Sequence, residues 1–367
     1  MFAERVKDIS VSGIRKVFDL AAKIENPVNF SIGQADYDVP EPLKQAAIEA
    51  IQKGCNRYSV TQGIEPLRNQ VREHLLKTRE YNPENIFITS GTSGGLLLAM
   101  LVLINLGDEV LLPDPYFVMY KNLILLTGGV VKYYDLYPDF QIKPEKIEEQ
   151  ITDKTKLIIL NNPSNPTGAV TPLPILKQVA EIARKHDLII ISDEIYDEFV
   201  YDGTYHSMAP LYPEKTLLLA GYSKTYAMPG WRMGYAAGPK SILDKMLTLQ
   251  QFSFVCAPTP AQYACVQAFD LDMSSYIESY RKKRDMIYNG IKEIGYNVQK
   301  PQGSFYMFPE IPKKYKDADE FIRAALDKEM LIIPGGAFSR TNTNFRISFA
   351  VTEETIERGL KIFKELL

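Results

Sequence analysis

Seven short apolar runs recur along the chain: "NIFIT" at 85–89, "DEVLL" at 108–112, "VVKYYDL" at 130–136, "KLIIL" at 156–160, "LIIIS" at 188–192, "TLLLA" at 216–220 and "MGYAAG" at 233–238. Runs of this length without polar alternation read as strands buried on both faces, and the helical patterns between them supply the cover. In "LKQVAEIARKHD", after Pro174, Val179, Ile182 and Ala183 fall on one side at helical spacing. The expected fold is α/β, with a mostly parallel seven-stranded sheet covered by helices. Five of the runs end in polar, Gly or Pro residues: "SGTSGG", "PDPYF", "NNPSNPTG", "DEIY" and "GYSK". In an open α/β sheet the carboxyl ends of the strands share the edge where ligands bind, so these five segments should meet at one pocket.

Beyond about residue 270 the texture changes to a long charged helix, "SSYIESYRKKRDMIYNGIKEIGY", and then to short mixed elements. A chain of 367 residues exceeds the size at which one core keeps growing. We expect a large domain over 40–275 and a smaller α+β domain from 1–39 and 276–367. The net charge of −3, with Lys and Arg scattered, offers no field for phosphate backbones and argues against a nucleic-acid partner. Cys55, Cys256 and Cys265 are far apart, show no Cys-x-x-Cys spacing and leave one unpaired, which favours a reducing cytoplasm. The start "MFAERVKDIS" has charges where a signal peptide needs apolar residues, and no uncharged apolar run approaches a membrane span. A soluble, cytoplasmic chain is expected.

Each strand end has a functional and a plain structural reading. "TSGTSGG" leaves backbone N–H groups free at a helix start, with the Thr92 and Ser93 hydroxyls beside them, and suits phosphate; it also suits an ordinary cap in a tight turn. Asp193 ends a buried strand and needs a cation or N–H partner there, unless it caps a helix. Glu194 is no second half of a carboxylate pair, because strand neighbours point to opposite faces. "NNPSNPTGAV" is turn chemistry that can present the Asn165 amide to a ligand. Lys224 is either a solvated cation or an amine whose proton affinity is lowered by desolvation and by Arg232, so that the neutral nucleophile is available. His74, His186 and His206 show no metal-ligand spacing, and no metal is expected.

In this order the motifs resemble those of the class I and II aminotransferases, the fold-type I enzymes that use pyridoxal 5′-phosphate. The likeness runs from "FSIGQADYDVP" to "NFRISFAVTEE". It implies that Lys224 bonds to the cofactor's aldehyde carbon, with Ser223 beside it in contact with the cofactor. Asp193 would pair with the ring nitrogen, and Tyr196 and Asn165 would hydrogen-bond the ring's phenolic oxygen. Gly91, Thr92 and Ser93 would form the phosphate turn and Arg232 its clamp, with Phe117 stacked on the ring. Arg346 would grip the substrate α-carboxylate beside Gly33 and Asn165. Tyr58 would reach the phosphate of a neighbouring subunit in a homodimer with shared active sites.

The implied reaction moves an amino group between an L-amino acid and a 2-oxo acid in two half-reactions, with Lys224, Asp193 and Tyr196 as the catalytic residues. Two places depart from the pattern. Gly221 stands where many relatives have a Ser or Thr phosphate ligand, and Gln34 and Ala35 replace the commoner Glu and Pro. A carbon–sulfur β-lyase or an amino-acid decarboxylase could share every one of these residues. A pyridoxal-phosphate-binding regulator would need an added DNA-binding domain, and a nucleotide-binding α/β protein would need no reactive lysine.

Overall fold

The structure, a computed structural model, describes residues 2–7, 9, 24 and 26–367. Its strands are β1 (Val28–Asn29), β2 (Asn85–Ser90), β3 (Glu109–Asp114), β4 (Val130–Asp135), β5 (Thr155–Asn161), β6 (Ile189–Asp193), β7 (Thr216–Gly221), β8 (Met233–Gly238), β9 (Tyr306–Met307), β10 (Met330–Leu331), β11 (Ile333–Pro334) and β12 (Phe345–Ser348). Strands β2 to β8 form one sheet in the order 2-8-7-6-5-3-4. Each of the seven apolar runs supplies one of these strands, as expected. All the neighbouring pairs are parallel except those made by β8, which runs against both β2 and β7.

The absence of polar alternation follows from cover on both faces. Ile191 packs with Leu157, Leu217 and the helix Gly91–Leu103 on one face, whereas Ile190 packs with Ile158 and the helix Leu173–Lys185 on the other. The latter helix buries Leu176, Val179, Ala180 and Ala183, with Ile182 half-buried at the margin.

The reversal at β8 matters for the site. Because β7 ends and the antiparallel β8 begins at the same sheet edge, the loop between them delivers both Lys224 and Arg232 there. The separation of these two residues in sequence is the length of that turnback.

After the helix Ser274–Ile294, strands β11, β12 and β9 form a small antiparallel sheet, and β1 pairs in parallel with β10. The helix Glu353–Leu366, capped by the Thr352 hydroxyl on the Thr355 N–H, lays Phe363 against Phe30 and Phe345. Residues 10–23, part of the expected small domain, lie outside the described residues. Among the described residues no helix is long and apolar enough to cross a membrane.

Candidate active site

A cavity of about 320 Å³ opens at the carboxyl edge of the sheet. All five polar strand ends reach it: Thr92 and Ser93 after β2, Phe117 after β3, Asn161 and Asn165 from β5, Asp193 and Tyr196 from β6, and Ser223 and Lys224 after β7. Arg232, Gly33, Tyr306 and Arg346 complete the lining used below.

At one end the helix Gly91–Leu103 begins without a side-chain cap, so its first N–H groups, which no helix can satisfy internally, have no capping acceptor either. Gly91 has φ +69°, and a Cβ there would stand 2.5 Å from Arg232 Nη2, so only glycine lets the guanidinium lie over the turn. Arg232 itself has φ 57° and is held by Nη1 donating to the Pro229 carbonyl at 2.8 Å. The departure at Gly221 has a steric reason. A Cβ there would lie 2.9 Å from the Met233 carbonyl oxygen and 3.1 Å from Thr92 Oγ1, so the Thr92 hydroxyl fills the space a side chain would need.

Asp193 lies across the cavity, nearly fully buried. Tyr120 donates to its Oδ2 at 2.6 Å and the Ile195 N–H to its Oδ1 at 3.3 Å. Burial nevertheless lifts its pKa to about 6, because the two hydrogen bonds only partly offset desolvation. Glu194 points to the opposite face, as the strand period requires, where it accepts from Arg79, Ser192 and Ser207.

Lys224 donates to the Gly33 carbonyl at 2.7 Å. Desolvation, followed by the charge of Arg346, pulls its pKa down to about 8, with Asp193 opposing and Arg232 adding a smaller push. Arg346, held on β12, donates to Asn165 Oδ1 at 3.2 Å and to the Ser31 carbonyl at 2.9 Å, and it is sandwiched between the Tyr306 and Phe338 rings. Its buried Nε has no partner among the described residues. With its oxygen committed to Arg346, Asn165 keeps its NH₂ for another acceptor.

Of the residues singled out from sequence, Tyr58 stands apart from this lining, 83% exposed. Gly91 acts from beneath Arg232. Sequence reasoning missed Asn161, whose Oδ1 accepts the Asn165 N–H, and Tyr306, whose hydroxyl lies 3.0 Å from that of Tyr196. It assigned no role at Asp193 to Tyr120. Asn161 opens the "NNPSNPTG" strand end and could have been found there, whereas no spacing rule marks Tyr306 or Tyr120, which tertiary folding alone brings in. His74, expected to be unremarkable, lies with Asp197 and Glu198 so that ligand atoms fall within 4.8 Å of one another, but Asp197 is already paired with Arg79.

The family model described as aminotransferase class I and II matches residues 25–363. Over its whole length the chain is 40% identical to a probable aspartate aminotransferase of Methanocaldococcus jannaschii, also matched over 100% of its length. It is 35% identical to aromatic-amino-acid aminotransferase 2 of Thermococcus litoralis, covering 99% of this chain and 98% of that one. In structure it is similar to the aspartate aminotransferase of Thermus thermophilus with maleate, at a TM-score of 0.95 and 31% identity over 100% of both chains.

Proposed function

Since the chain belongs to the class I and II aminotransferases and is a transaminase, we propose that its cavity holds pyridoxal 5′-phosphate and that the residues around it carry amino transfer between an L-amino acid and a 2-oxo acid. One observation carries this reading: a half-buried amine, a buried carboxylate, an uncapped helix start under a guanidinium, and a second guanidinium with a free Nε surround one cavity. The donor set fits the cofactor. Thr92, Ser93, the helix start and Arg232 would hold the phosphate, Phe117 the ring face, Asp193 the ring nitrogen, and Tyr196 and Asn165 the phenolic oxygen. Ser223 would stand beside the cofactor as well.

When bound, the protonated cofactor ring takes up the electron pair released as the substrate Cα–H bond breaks. Asp193, as carboxylate, keeps a proton on the atom opposite it. Arg346 fixes the substrate by two parallel hydrogen bonds to its α-carboxylate, which orients the bond to be broken. Lys224 Nζ, neutral once it has lost its proton, takes the Cα proton and returns it on the other side of the exchange. The relatives named above are aminotransferases, and no observation favours a lyase or a decarboxylase.

Purified protein is expected to show a visible absorption band that borohydride removes, and Lys224→Ala to lack it. A reducible lysine adduct that persists in that variant would overturn the assignment. An amino-donor panel with 2-oxoglutarate, including aspartate and phenylalanine, reads transfer directly.

Three finer statements belong to the same proposal. The division into 40–275 and 1–39 with 276–367 is supported by the pairing of β1 with β10. A cytoplasmic setting is supported by three free cysteines, of which Cys265 is buried. A homodimer is supported by an exposed apolar face: hydrogen bonds from Gln250, Thr259 and Gln262 tie the 57–61 segment down, gathering Tyr58, Val60 and Phe252 beside Phe254. That face borders the phosphate end, because a Cβ at Gly94 would lie 3.5 Å from the Phe254 ring.

A further inference from the structure

Tyr306 is 1% exposed and lies on β9 opposite Ser348 of β12, so it shares a face with Arg346 two residues away. Its ring carries the Arg346 guanidinium 4.5 Å from the centroid, and its hydroxyl lies 3.0 Å from Tyr196 Oη. The same hydroxyl rests on the backbone of Gly33, where a Cβ would come within 2.2 Å of it. One side chain therefore touches the arginine at the carboxylate end, the strap whose carbonyl holds Lys224, and the phenol proposed to face the cofactor.

We propose that Tyr306 is a positioning residue that fixes the direction of the hydrogen bond offered by Tyr196, and that links this bond to the charge on Arg346; this rests on the cofactor reading above. Each phenol has one proton, and burial keeps both protonated. The Tyr306 hydroxyl has no hydrogen-bond partner among the described residues other than Tyr196; either hydroxyl can donate in this pair, and in the proposed arrangement Tyr306 donates to the Tyr196 oxygen. Tyr196 then has its own proton left to point into the cavity, toward the phenolic oxygen of the ring. A cation over the Tyr306 ring makes that phenol a stronger donor, and a donor that feeds a second hydroxyl strengthens it in turn. When a substrate carboxylate neutralises Arg346, the chain weakens, so the hold on the ring oxygen relaxes as substrate binds.

Tyr306→Phe tests this while keeping the ring, the packing and the guanidinium stack. The readout is the pH titration of the visible band of the loaded protein, without substrate. A weaker donor to the ring oxygen makes the protonated form of the chromophore harder to deprotonate, so the midpoint is expected to rise by roughly 0.3 to 1 pH unit. In steady-state assays kcat is expected to fall several-fold, with KM changed less than about twofold. In a Tyr196→Phe background the added Tyr306→Phe is expected to leave the midpoint where it stands. An unmoved midpoint in the single variant overturns the proposal, as does a shift that survives in the double variant. Lack of any band in the parent protein instead overturns the cofactor reading beneath it.

Discussion

At Lys224 the chemistry depends on how much neutral amine is present. A lysine with its ordinary pKa is neutral in fewer than about one molecule in a thousand at pH 7, whereas one lowered to about 8 is neutral in about a tenth. The sign is set by burial and the two arginines, all of which disfavour the charged form. Capture of pyridoxal 5′-phosphate by cofactor-free protein is therefore expected to speed up about tenfold between pH 6 and 7 and to level off above about pH 8, as read by stopped-flow absorbance. A rate that keeps rising tenfold per unit through pH 10 would mean an ordinary lysine. Gly221 offers a second residue-scale test. Gly221→Ser places a Cβ against the Met233 carbonyl, the Gly234 Cα and Thr92 Oγ1, so the hydroxyl that many relatives use should be harmful here. Overpacking of this kind costs about 1–3 kcal/mol, and the variant is expected to melt earlier and to bind the cofactor less tightly.

At the scale of elements, the seven strands were legible because a strand covered on both faces must be apolar throughout, and polar residues can resume only where the sheet stops. Thr92, Asn165, Asp193 and Lys224 could be picked out for that reason: each lies in the polar segment that closes such a run. Tyr120 and Tyr306 carry no such mark. The helix Val118–Leu126 brings Tyr120 to Asp193, and the pairing of β9 with β12 brings Tyr306 to Arg346, relations of register and packing that no local pattern encodes. The strap at 32–38 shows the same limit. Gln34 and Ala35 depart from the commoner residues, yet what holds the strap is Asp36, which accepts from Lys283 at 2.5 Å and from Tyr280 at 2.7 Å, with Tyr37 donating to the Thr225 carbonyl. Asp36→Asn leaves Lys283 with little access to water and no countercharge, at a cost of about 1–3 kcal/mol. The variant is expected to raise KM for the amino donor more than it lowers kcat, because the strap holds Gly33 against both Lys224 and Tyr306, whose ring carries Arg346.

For the whole molecule, the question is what covers Tyr58, which was expected to reach the phosphate of a neighbouring subunit and is 83% exposed in the single chain. Tyr58 and Phe252, the latter 85% exposed, stand on segments joined by the Gln250–Thr61 hydrogen bond, an apolar patch that a lone chain does not need. It borders the end of the cavity proposed to hold the phosphate, through Phe254 and the helix Gly91–Leu103. Placing a second copy on this face would bury the patch and bring each Tyr58 toward the other copy's cofactor, so assembly and phosphate binding would be linked. Phe252→Glu tests this link, since it puts a charge in the patch at a residue outside the cavity lining. Light scattering is expected to show the variant shifted toward the monomer, with its far-ultraviolet dichroism unchanged and its affinity for pyridoxal 5′-phosphate reduced at least several-fold. Tyr58→Phe, by contrast, is expected to leave the scattering mass of the parent protein unchanged and to lower its affinity for pyridoxal 5′-phosphate. If Phe252→Glu remains dimeric, the interface lies elsewhere, and the exposure of Tyr58 needs a different explanation.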